Sequence, residues 1–146
     1  MFDNGEAYLV EFDNPACIFI RGGKLQELTR EYKEYAGKNV TESRFTVMPG
    51  DVLTLVSDGV IYAGVGSILN FGWKWENVAA WMQKAAQKEQ SAPRLAVSLS
   101  QAIGELYMDK PGDDSTVLVA KVSPKCVVNM LSGPPKNKED DARIVH

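Results

Sequence analysis

The run Val52-Leu53-Thr54-Leu55-Val56-Ser57 is apolar on both faces of an extended chain. Such a strand needs cover above and below, so it belongs in the middle of a layered fold. Thr116-Val117-Leu118-Val119-Ala120 has the same character and predicts a second covered strand. Between them the apolar period changes from strand to helix. From Trp75, the positions Val78, Trp81, Met82 and Ala85 recur at three- and four-residue spacing, which predicts a helix with one buried stripe. Ser91 predicts the N-cap of a second helix, with Pro93 in its first turn. Its stripe is Leu95, Leu99, Ala102, Ile103 and Leu106.

The first third reads as β-structure. Tyr8-Leu9-Val10-Glu11-Phe12 and Ala16-Cys17-Ile18-Phe19-Ile20-Arg21 are short strand-like runs separated by a turn signal, Asp13-Asn14-Pro15. Gly22-Gly23 predicts a tight hairpin into Lys24–Leu28. A polar stretch follows, then the alternating Arg44-Phe45-Thr46-Val47 and the turn Met48-Pro49-Gly50-Asp51. Cys126 to Met130 is a candidate for one more strand, and the tail from Ser132 is rich in Pro, Lys, Asp and Glu. Asn4-Gly5 is a hairpin signal with only three residues before it. That fits either a fold that begins earlier in a parent chain or a frayed N-terminal loop.

A length of 146 residues suits one domain with a real core. A net charge of −3 does not advertise a nucleic-acid or anionic-membrane surface. No apolar run is long enough to span a bilayer, and the N-terminus lacks the layout of a signal peptide, so a reduced, cytoplasmic protein is expected. Cys17 and Cys126 both sit in apolar runs and are expected as buried free thiols rather than a disulfide or metal pair.

Most catalytic constellations are struck out by composition. His146 is the only histidine and the last residue, which argues against Ser-His-Asp, Cys-His and histidine-zinc sites. Gly64-Val65-Gly66 lacks the third glycine of a dinucleotide fingerprint, because Leu69 stands in its place. What remains is acidic. Asp58 follows one covered strand, and Asp113-Asp114 precede the other. If those strands pair antiparallel, the end of one and the start of the other share a sheet edge. Carboxylates gathered at one edge repel unless a cation neutralises them, and hard oxygen ligands suit Mg²⁺ or Mn²⁺. The structural alternative stands beside this one: Asp-Gly is a common turn, and Gly-Asp-Asp before a strand can be turn chemistry alone.

The stretch from Met48-Pro49-Gly50-Asp51 to Ser57-Asp58-Gly59-Val60 resembles the late core motif of SpoIIE-type phosphatases, of the PPM (metal-dependent protein phosphatase) superfamily. Gly112-Asp113-Asp114-Ser115-Thr116-Val117-Leu118-Val119 resembles the closing motif of that family. The segment from Glu11-Phe12-Asp13-Asn14-Pro15-Ala16 through Leu28 is similar to what precedes the core motif, so the resemblance runs over about residues 6 to 123. It implies an α+β fold with an antiparallel β-sheet core flanked by helices, and a binuclear Mn²⁺ or Mg²⁺ centre at one end. Asp58 and Asp113 fall on the metal-binding positions, with Asp114 as a neighbour that orients water. The implied reaction is hydrolysis of phosphoserine or phosphothreonine on a phosphoprotein by metal-activated water, within bacterial sporulation or stress signalling.

One departure is large. The early Asp-x-Gly or Asp-Gly pair of the family has no match, and Asp3-Asn4-Gly5 reads as a hairpin tip. Residues 1–131 are therefore expected to be the C-terminal portion of such a domain, truncated at the N-terminus and inactive or nearly so alone. Residues 132–146 are expected to be a linker or the start of a following segment. The competing expectation is a non-catalytic interaction or scaffold domain that keeps the sheet without the chemistry. An unrelated Mg²⁺-binding hydrolase is a third. Trp73 and Trp75 read either as a partner-docking flap or as packing onto the adjacent helix.

Overall fold

The computed structural model describes residues 4–66, 68–88, 91–108 and 112–124. Asp3, Cys126, His146 and the tail from Ser132 lie outside the described residues. Along the chain run β1 (Glu6–Glu11), β2 (Ile18–Arg21), β3 (Lys24–Gln26), β4 (Glu31–Tyr35), β5 (Lys38–Thr46) and β6 (Val52–Val56). They are followed by α1 (Asp58–Ile61), α2 (Trp75–Lys88), α3 (Ala92–Leu106) and β7 (Val117–Lys121). The strands form two antiparallel sheets, in orders β1-β5-β4 and β3-β2-β6-β7. The fold is thus α+β, as expected from the sequence.

Strand β6 lies between β2 and β7, and its alternation explains its composition. Val52 and Val56 join Ile18 and Ile20 of β2 in a core completed by Val78, Met82, Leu95, Leu99 and Ile103 of the two long helices. Leu53 instead packs with Ala7, Phe45, Val47 and Val122 on the side of the other sheet. Phe19 and Phe45 meet there with ring centroids 5.1 Å apart. A 14-residue helix such as α2 is marginal alone in water. It persists because it buries Val78, Ala79 and Met82, each larger side chain contributing about 1.5–3 kcal/mol.

The other covered-strand expectation holds only in part. β7 is the edge strand of its sheet, and Leu118 is 53% exposed while Val117 and Val119 face the helices. The polar stretch before Arg44, to which the sequence assigned no element, is ordered as strands. It forms the β4–β5 hairpin, closed between Tyr35 and Lys38 by Ala36 and Gly37, both at positive φ. Gly22-Gly23 makes the same two-residue turn, as expected. At Asn4-Gly5, Asn4 Oδ1 accepts the Glu6 amide (3.1 Å) as the chain enters β1. Ser91 caps α3 by accepting the Arg94 amide (3.4 Å), with Pro93 in the first turn. Cys17 is a buried free thiol whose pKa burial pushes up to about 12. Trp73 stacks edge-on to Trp81 and the Trp75 indole donates to the Ala16 carbonyl (2.7 Å), so both tryptophans pack onto the fold.

One polar cluster ties the two sheets together, and a second ties the strands of the first sheet. Asp51, 1% exposed, accepts both Nε and Nη2 of Arg21 (3.0 and 2.7 Å) and the Met48 amide (2.7 Å). Arg21 Nη2 also donates to the Thr46 carbonyl (2.8 Å), which joins the end of β5 to β2 and β6. On the outer face of the first sheet, Glu42 accepts hydrogen bonds from Lys33, Tyr8 and Tyr35, which hold its carboxyl down at about 2. A depressed carboxylate stabilises the fold fully above its unfolded value and progressively less as pH falls through the folded one. Glu42→Gln should therefore flatten the loss of stability between the ordinary 4.5 and about 2, as read by urea midpoints across that window. An unchanged pH profile would mean the cluster does not hold in solution.

Candidate functional site

The register of β6 against β7 pairs Val56 with Val117. The chain leaves β6 into Asp58 at the point where it enters β7 from Asp113 and Asp114, so all three acids share one end of the sheet. Ser57 locks that end. Its amide donates to the Thr116 carbonyl (3.0 Å), and its hydroxyl donates to the Asp114 carbonyl (3.2 Å) while accepting the Thr116 amide (2.9 Å). Ser57 is also the N-cap of α1, but its hydroxyl makes no cap bond because it is engaged across the strands.

Gly59 shows why a glycine follows Asp58. Its φ is not in the left-handed region, so the turn does not require it. A Cβ there would lie 2.3 Å from the Asp114 carbonyl oxygen and 3.0 Å from Ser115 Oγ. The glycine permits the backbones of the two acidic motifs to touch. The two sequence-predicted motifs are thus one local structure. Sequence reasoning missed the Ser57 hydroxyl as the link between them. It also read Asp51 only as part of a turn, although a buried acid facing an Arg across thirty residues carries no local signal.

Asp58, Asp113 and Asp114 are exposed. Among the described residues none of them pairs with Lys or Arg. Asp113 Oδ1 accepts the Asp114 amide (2.9 Å), which orients its carboxylate. The donor chemistry, hard carboxylate oxygen with no basic partner among the described residues, fits Mg²⁺ or Mn²⁺. The number of donors is short of a closed cage: among the described residues no three His, Cys, Asp or Glu side chains gather closely enough to hold an ion.

The family model for stage II sporulation protein E (SpoIIE) matches residues 2–123, which contain both acidic motifs. The chain belongs to the SpoIIE family. Its fold is similar to the phosphatase domain of the cell fate determinant SpoIIE from Bacillus subtilis, with a TM-score of 0.61 at 16% identity. That match covers 82% of this chain and 53% of the solved one. A Mn-presoaked structure of the same domain gives a TM-score of 0.61 at 16% identity, covering 90% and 53%. The photosystem II phosphatase PBCP gives 0.56 at 14% identity, covering 84% and 61%. At these identities the likeness concerns fold. The chain spans about half the length of the SpoIIE phosphatase domain structures it matches. No curated protein sequence matches the chain significantly.

Gly59→Ala should cost about 1–3 kcal/mol in urea unfolding, the usual penalty for inserting a methyl where none fits. A loss within about 0.5 kcal/mol, the range of an ordinary surface change, would show that the two motifs do not touch in this way.

Proposed function

We propose that this chain is the C-terminal half of a metal-dependent serine/threonine protein phosphatase domain, with Asp58 and Asp113 as two of its metal ligands. The observation that carries the reading is the meeting of the two acidic motifs at one end of the β6–β7 pair, through Ser57 and Gly59. Residues 1–131 belong to that half-domain in this reading, and residues 132–146 lie outside it. The SpoIIE match to residues 2–123 and the likeness in fold to the phosphatase domain of SpoIIE and to the phosphatase PBCP support it.

In this reading Asp58 and Asp113 offer charge and oxygen donors and do not transfer protons. Asp114 stands beside them to orient water. The Ser57 hydroxyl holds the two backbones at fixed separation, so the donors are placed before any ion arrives. A divalent cation held there, Mn²⁺ or Mg²⁺, would supply the charge that makes water nucleophilic toward a phosphate ester. The substrate is a phosphoserine- or phosphothreonine-bearing protein.

The small number of acids gathered among the described residues supports a further element: residues 1–146 alone carry an incomplete site and turn over little or no substrate. The same observation favours a second reading, a non-catalytic interaction domain on the same sheet. The deciding experiment is Mn²⁺- and Mg²⁺-dependent phosphate release from phosphoserine and phosphothreonine peptides by the full-length protein carrying this chain. Asp58→Asn should lower turnover by more than about 10–100-fold, the loss seen when even outer-shell partners of a metal are removed. Robust metal-dependent turnover by residues 1–146 alone would contradict the half-site. No turnover by the folded full-length protein with either metal would leave the interaction domain as the better account.

A further inference from the structure

We infer that Tyr107 is a positioning residue that fixes the two acidic motifs against each other from the helix side. Its hydroxyl donates to the Gly59 carbonyl at 2.6 Å, a short O–H···O bond. Gly59 immediately follows Asp58. The ring of Tyr107 lies against Gly112, where a Cβ would come within 2.4 Å of both Cδ1 and Cε1. Gly112 immediately precedes Asp113. One side chain therefore touches the neighbour of each proposed ligand.

Tyr107 is suited to this by its own anchorage. It caps the C-terminus of α3, its amide donates to the Ile103 carbonyl (3.1 Å), and its ring packs against the main core. The partner it serves needs one. At the end of the one-turn helix the Tyr62 amide donates to the Asp58 carbonyl (3.0 Å) and the Ala63 amide to the Val60 carbonyl (3.3 Å), so neither serves Gly59. The hydroxyl satisfies the carbonyl of a buried residue that has no other donor among the described residues. Ser57 links the motifs on the strand side, and Tyr107 links them on the side of α3. Held at two points, Asp58 and Asp113 have little freedom to change separation. The consequence for metal binding rests on the reading of those two acids as ligands; the coupling between the turns does not.

The test is NMR on residues 1–146, comparing wild type with Tyr107→Phe, which keeps the ring and removes the hydroxyl. Amide exchange at Ser57, Val60 and Thr116 should rise about 5–10-fold, the equivalent of one ordinary hydrogen bond, with the rest of α3 unchanged. Paramagnetic broadening by Mn²⁺ at Gly59 and Asp114 should need several-fold more metal in the variant. Unchanged exchange at those amides together with unchanged Mn²⁺ broadening would overturn the inference. Absence of broadening in the wild type would count against the metal reading, while the exchange comparison still decides the coupling. If Tyr107→Phe fails to fold, Gly112→Ala presses a methyl into the intact ring and should loosen the same amides. Unaltered exchange in Gly112→Ala would likewise overturn it.

Discussion

The antiparallel pairing of β6 with β7 is the constraint on which the site depends. The two strands are separated by sixty residues of chain containing both long helices, and only their pairing makes neighbours of Asp58 and Asp113. An antiparallel ladder sets side chains in register along its length, so a slip of one residue would turn every face over. Here a one-residue slip of β7 would turn Val117 and Val119 away from the helices and bring Leu118 toward them, so the hydrophobic core and the acidic edge specify the same register.

β6 is held at both ends by polar contacts of different kinds. At its start, Asp51 gathers Arg21 and the Met48 amide, and the Gly50 amide donates to the Val122 carbonyl (2.9 Å) to extend the pairing with the β7 segment. At its finish, Ser57 and Gly59 bring the backbone of α1 against that of Asp114. The first cluster is buried and serves the joining of the two sheets. The second is open, and its carboxylates are left without basic partners among the described residues. That contrast separates an acid used for folding from acids available for chemistry.

Much of this was legible from residue patterns. The covered strand, the two amphipathic helices, the Ser91 cap and the Gly22-Gly23 hairpin each rest on local rules that the tertiary structure agrees with. The β4–β5 hairpin was not, because β4 is exposed throughout and has no apolar period to read, and its turn uses Ala36 at positive φ where Asn or Asp is the usual signal. The exposure of Leu118 was hidden for the opposite reason: an apolar run cannot say whether its strand ends up central or at an edge. The acidic motifs were visible as letters, but the reason for Gly59 was not, since close approach of two backbones is a property of the folded chain. Tyr107 followed the last apolar position of α3 and gave no sign of its contacts with both motifs.

Membership of the SpoIIE family and the phosphatase-like fold make the acidic edge the natural place to look for a metal. Anomalous diffraction at the manganese edge from Mn²⁺-soaked crystals of the protein tests this most directly. The expected result is an anomalous peak at the joined ends of β6 and β7, contacted by the carboxylates of Asp58 and Asp113. Manganese bound only elsewhere, with both carboxylates free of metal, would contradict the account.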